Sequence, residues 1–148
     1  MLLRTRTPNA RRRPPLQALA DRATPAQLAL GRAGAGTVML VRPRALPQAL
    51  GVDSATATRT SWAVQMLGAR EVALGLGTFA ALRSGDRRGA RLWLAAGVLA
   101  DSVDALAMAG ALARGRVTRS AGVSVLAVAA AAVALGVREL REEQVPPL

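Results

Sequence analysis

Residues 120–137 read SAGVSVLAVAAAAVALGV, eighteen consecutive positions without a charged side chain. A helix of that length rises about 27 Å, close to the hydrocarbon thickness of a bilayer. A soluble, alanine-rich helical bundle would carry a polar stripe along each of its helices. This segment has none, so it reads as a membrane span, and the rest of the chain is read outward from it.

Composition points the same way. Of the 148 residues 51% are hydrophobic, yet only Trp62, Phe79 and Trp93 are aromatic. A soluble core of this size draws most of its buried area from large side chains. Here the apolar mass is Ala, Leu, Val and Gly, the residues of closely packed membrane helices. Cysteine and histidine are both absent. That excludes disulfides, thiolate chemistry, and the commonest general base and zinc ligand. The net charge of +11 comes with twenty Arg and no Lys. Those arginines lie mostly between hydrophobic segments without interleaved aromatic residues, which is not a nucleic-acid footprint. Nucleic acid is therefore not expected as a partner, whereas the lipid bilayer is.

Working back from the fourth segment, helix signals recur. Thr24-Pro25-Ala26-Gln27 is a capping box with proline at the first helical position. It starts a helix predicted over 25–42, where Pro43 stops it. Pro43 and Pro47 punctuate a connector reaching about Thr58. A second helix is predicted over 59–83, ending at Ser84-Gly85-Asp86. A third covers 87–114 with Asp86 as its cap and Gly115 past its end. Thr118 opens the fourth, 118–140. The predicted fold is an all-α, four-helix transmembrane bundle over 24–141. Residues 1–23 are expected to form a basic, largely disordered N-terminal tail, and 142–148 a short polar C-terminal tail.

Orientation follows from arginine counts. Twelve flank the side shared by the tail, the middle loop and the C-terminus: Arg4, Arg6, Arg11, Arg12, Arg13, Arg22, Arg83, Arg87, Arg88, Arg91, Arg138 and Arg141. Six flank the other: Arg42, Arg44, Arg59, Arg114, Arg116 and Arg119. The positive-inside rule then places both termini in the cytoplasm, with the chain multi-pass in the cytoplasmic membrane. Trp62 and Trp93 fall at depths that suit interfacial anchors.

Two arginines remain, and both lie inside predicted spans. Arg32 is in the first and Arg70 in the second, beside Glu71. The third contains Asp101 and Asp104 within AAGVLADSVDALAMAGALA, residues 95–113. One charge at the bilayer centre costs about 2.5–3.5 kcal/mol on the translocon scale, so five call for a common explanation. Counting from the turns places them at one depth. Helices 2 and 3 turn near residue 86 or 87, which sets Arg70 level with the Asp101–Asp104 pair. Helices 1 and 2 turn near 51, which sets Arg32 level with Arg70. Gly68 and Gly75 share a face with Glu71, and Gly36 lies one turn after Arg32; such small residues let helices approach closely. Arg70 is thus the expected partner of the Asp pair, with Arg32 as a second cation.

This layer of Arg32, Arg70, Glu71, Asp101 and Asp104 sums to one negative charge if every group is ionised. It supports two readings, an ion-pair network fixing helix register, or a proton- or ligand-binding site. Other motifs carry less. GRAGAG at 31–36 has the glycines of a phosphate loop without its strand or lysine, and reads as helix packing. Asp101-x-x-Asp104 has carboxylate spacing for a metal but no further ligand set beyond Glu71. No cofactor or metal is expected, and no catalytic residues stand out.

The order GRAGAG and RPRAL, then GAREVALGLG, LRSGDRRGARLWLAAG and LADSVDALA resembles the small four-helix integral membrane proteins of actinobacteria grouped as a domain of unknown function. The first-span Arg and second-span Glu are more distantly similar to the DoxX-like membrane family. The nearer resemblance covers about residues 26–137 and implies a membrane-embedded helical bundle without a reaction. Three functions stay open. One is a non-enzymatic accessory or scaffold protein, with a second copy or a membrane protein as partner. Another is a small proton-linked carrier using the buried carboxylates. The third, drawn from the DoxX-like resemblance, is a quinone-linked redox partner.

Overall fold

The computed structural model describes residues 24–142, and every regular element among them is an α-helix. These are α1 (Pro25–Val41), α2 (Ala45–Ala49), α3 (Ser54–Arg59), α4 (Ser61–Ser84), α5 (Arg87–Ala113) and α6 (Arg119–Glu142). The expected basic tail at 1–23 lies outside the described part, and so does the expected C-terminal tail at 142–148 except Glu142, which is the last residue of α6.

Local chemistry accounts for the helix limits. Thr24 Oγ1 accepts from the Gln27 N–H at 3.3 Å, and Gln27 Oε1 accepts from the Thr24 N–H at 2.9 Å. Two otherwise unpartnered amides at the start of α1 are thereby satisfied. Between α4 and α5 the chain reverses at Gly85, whose φ of 71° is the left-handed conformation that a side chain disfavours. The Asp86 N–H returns to Ala81 O at 3.0 Å, closing α4, while Asp86 Oδ1 takes the Gly89 N–H at 2.9 Å and opens α5. Gly115, at φ 64°, ends α5 in the same way.

The connector after α1 differs from expectation. No helix is predicted between Pro43 and Thr58, yet the segment holds α2 and α3, two short helices. Asp53 starts the second by accepting the N–H groups of Ala55 and Thr56, both at 3.0 Å. Thr118 precedes α6 as expected. However, its N–H donates to Leu50 O at 3.2 Å, which ties the α5–α6 turn to the α1–α4 connector.

The long helices pack in the order α1 on α4, α4 on α5 and α5 on α6. The first and last of these contacts are the more extensive. Small residues make them possible. A Cβ on Gly36 would lie 2.6 Å from Gly68 O, and one on Gly75 would lie 2.6 Å from both Ala29 O and Ala33 N. The backbones of α1 and α4 therefore nearly touch. On the other side, Gly122 packs under Leu112 and Gly136 under Val98, seating α6 on α5.

The interior is correspondingly unlike that of a soluble domain. Its buried apolar side chains are mostly alanine, with Val64 and Leu74, and no large side chain is fully buried among the described residues. Leu30, Val38, Met66, Leu99, Leu106 and Val128 all face outward. By length and composition, two of the four expected spans, Arg87–Ala113 and Arg119–Arg141, are long and apolar enough to cross a membrane. Of the other two, α1 is only 17 residues long, and α4 carries Arg70 and Glu71 at its middle.

Candidate functional site

All five charged residues singled out within the helices converge where α1, α4 and α5 meet. The helix faces explain how. On α1, Ala29, Arg32, Ala33 and Gly36 line one side. On α4, Gly68, Glu71 and Gly75 do the same, and the glycine contacts bring these two faces together. Arg32 is thereby pressed against Glu71, with Nε 2.7 Å from Oε2 and Nη2 3.2 Å from Oε1. The Nε contact is an ion pair without hydrogen-bond alignment, since that nitrogen has no hydrogen-bond partner.

From there the guanidinium reaches α5. Its tip passes over Gly97, where a Cβ would lie 3.3 Å from Nη1, so this glycine leaves room for the crossing. Arg32 then binds Asp101 with both terminal nitrogens, Nη1 to Oδ2 at 2.8 Å and Nη2 to Oδ1 at 2.6 Å. This two-pronged geometry suits arginine's planar fork and is among the stronger charge-assisted arrangements.

Arg70 forms the second half. Nη2 and Nε donate to Glu71 Oε1 at 3.1 and 3.3 Å, and Nη1 donates to Asp104 Oδ1 at 3.2 Å. A further short contact joins Arg70 Nη2 to Asp104 Oδ2. The result is a chain of alternating sign, Asp101–Arg32–Glu71–Arg70–Asp104, with Glu71 as the shared link. Every member has a partner of opposite charge, and both ends are carboxylates.

One pairing departs from expectation. Depth counting made Arg70 the principal partner of the Asp pair, but Asp101 is held by Arg32 and Arg70 takes Asp104. The two arginines also differ in enclosure. The Arg32, Glu71 and Asp101 side chains are 21%, 12% and 14% exposed, whereas Arg70 and Asp104 are 36% and 41% exposed. The inner end of the chain is enclosed and the outer end opens to the bundle surface.

Trp62 is largely exposed at the start of α4. Trp93 on α5 lies across Gly77 of α4, where a Cβ would come within 2.5 Å of the indole. Trp93 is thus a packing residue between the two helices. Neither tryptophan adjoins the charged chain in sequence. Glu139 was not among the expected site residues, yet it is 7% exposed in the last turns of α6, with Oε1 3.1 Å from Arg138 Nη2. In sequence it belongs to the charged run RELREE. Such a run reads as solvated, and only the packing of α6 encloses this carboxylate.

Residues 29–138 match the family described as Domain of unknown function (DUF4267). The chain belongs to this family. The matched segment contains all five members of the charged chain, Gly36, Gly68 and Gly75, and both tryptophans. No curated protein and no solved structure matches the chain.

Proposed function

We propose that this DUF4267 protein is a four-span protein of the cytoplasmic membrane with both termini cytoplasmic. It acts as a non-enzymatic accessory or scaffold whose charged chain sets the register of α1, α4 and α5. The observation that carries the reading is the distribution of side chains. Large apolar residues on all four long helices face outward, while the ionisable groups of α1, α4 and α5 turn toward one another. In water this arrangement would expose apolar surface and forgo the hydration of charges. In a bilayer it does the reverse, because lipid solvates the outer faces and ion pairing stabilises the inner groups. Lacking interhelical hydrophobic drive, such helices associate through close backbone contact and polar links. Gly36, Gly68 and Gly75 supply the first, and the charged chain supplies the second.

The absence of cysteine makes the topology directly testable, because any introduced cysteine is the only thiol. Gln48→Cys and Arg116→Cys should react with a membrane-impermeant maleimide in intact cells. Ser84→Cys should react only after permeabilisation, and Leu99→Cys in neither case. Labelling of Ser84→Cys from outside, or recovery of the chain in the soluble fraction, overturns the proposal.

A second reading, a proton-linked carrier, has its own support. The chain of five ends on Asp104, which is 41% exposed, and carries one more carboxylate than arginines. A carboxylate at an open end is where a proton would enter or leave. Proteoliposomes containing the wild type would then dissipate an imposed pH gradient, and Asp104→Asn would abolish the flux while leaving the fold intact. A wild type no leakier than empty vesicles excludes this reading.

A further inference from the structure

We propose that the groove between the beginning of α5 and the end of α6 binds the headgroup of an anionic phospholipid, an inference that rests on the membrane reading above. Arg87, Arg88, Arg91, Leu92, Ala95 and Leu140 line it. The three arginines are exposed, and none forms an ion pair among the described residues. Asp86 and Glu139, the nearby acids whose side chains are described, both have other partners. Asp86 accepts the Gly89 N–H at the helix start, and Glu139 faces Arg138.

The order of side chains along α5 selects the ligand. Arg87 and Arg88 occupy its first turn, Arg91 and Leu92 the next, and Ala95 the turn after, with Leu140 of α6 completing the apolar wall. Positive charge at the rim therefore grades into apolar surface toward the middle of the helix. A phospholipid has the same grading, from phosphate to glycerol ester to acyl chain. A free phosphate would use the arginines and leave the apolar wall uncovered. Basic pockets between spans on the cytoplasmic side are a recurrent setting for anionic headgroups. At the opposite end of the bundle, the groove at Arg42, Pro43 and Arg44 has fewer arginines and a proline-punctuated connector in place of a second long helix. It serves as the internal control.

The test uses the full chain purified into nanodiscs of equal phosphatidylglycerol and phosphatidylcholine, with retained lipid counted by native mass spectrometry after partial delipidation. Phosphatidylglycerol should be retained in preference. Arg87→Gln with Arg88→Gln and Arg91→Gln should lower that retention by about tenfold. Arg42→Gln with Arg44→Gln should leave it unchanged, and millimolar inorganic phosphate should not displace the lipid. Equal retention of both lipids, equal losses in the two variants, or displacement by phosphate overturns the site. If the triple variant does not fold, Trp93 fluorescence in Trp62→Phe decides instead. Brominated phosphatidylglycerol should quench it more than brominated phosphatidylcholine, and equal quenching counts against the site. Carbonate extraction separates the two levels. A chain that stays with the membrane but shows no lipid preference sinks the lipid site alone, whereas a chain released into the soluble fraction sinks the membrane reading.

Discussion

Arg32 on α1 and Asp101 on α5 are 69 residues apart in sequence and joined by two parallel hydrogen bonds of 2.8 and 2.6 Å. These bonds link the first long helix to the third, and Glu71 of the second contacts the same guanidinium. Among the described residues, Arg32 is therefore the one cation whose ion pairs join all three helices.

Removing it should have the largest effect of any single change in the charged chain. Arg32→Ala leaves Asp101 without its partner and Glu71 with Arg70 alone, in an enclosed setting. The expected loss is about 3–5 kcal/mol in denaturant titration of the detergent-solubilised protein. Arg32→Leu combined with Asp101→Leu should recover more than half of it. A single-mutant cost below about 1 kcal/mol would show that the chain is not energetically coupled.

Arg70 should matter less, and its partner should be Asp104. Because this pair is more than a third exposed, Arg70→Ala is expected to cost about 1–3 kcal/mol. Double-mutant cycles distinguish the partners. Coupling between Arg70 and Asp104 should exceed that between Arg70 and Asp101, and the opposite order would refute the pairing seen here.

The glycines divide into two classes that look alike in sequence. At Gly36 and Gly75 a Cβ would meet backbone atoms at 2.6 Å, so alanine must push α1 and α4 apart. A loss of about 1–3 kcal/mol is expected, with weaker contact between Arg32 and Glu71. Gly31 and Gly34 have nothing within 4 Å of that position. Alanine there should be neutral or stabilise by up to about 1 kcal/mol through helix propensity. Thermal unfolding of the four single variants checks the contrast.

Asp53, outside the proposed spans, carries the pH dependence. The hydrogen bond from the Thr56 N–H, helped by the Thr56 hydroxyl and the Ala55 N–H, holds its carboxyl below the usual aspartate range. A carboxyl depressed in the folded state adds stability that is complete above its unfolded pKa and is lost as pH falls through the folded value. Hydrogen exchange at Ala55 and Thr56 should accordingly stay slow near neutrality and accelerate, beyond the intrinsic pH trend, as acid protonates Asp53. Asp53→Ala should remove the protection at all pH values, and an unchanged profile would refute the cap.

Much of this architecture follows from sequence alone because its causes are local. The capping box at Thr24, the reversal at Gly85, the Asp86 cap and the stop at Gly115 depend on residues within a few positions of each other. The common depth of the five charges also follows, since rise per residue converts spacing into height. Which charge meets which does not. Height leaves rotation about the helix axis open, and an arginine side chain is long enough to reach either of two aspartates three positions apart. The choice of Arg32 for Asp101 came from the contact of Gly36 and Gly75 with α4, and from the gap over Gly97. The folding of the connector into two short helices and the enclosure of Glu139 were likewise decided by tertiary structure. A cap as brief as Asp53 stabilises a six-residue helix only when both flanking segments are held, and a carboxylate in a polar run becomes buried only when a neighbouring helix lies across it.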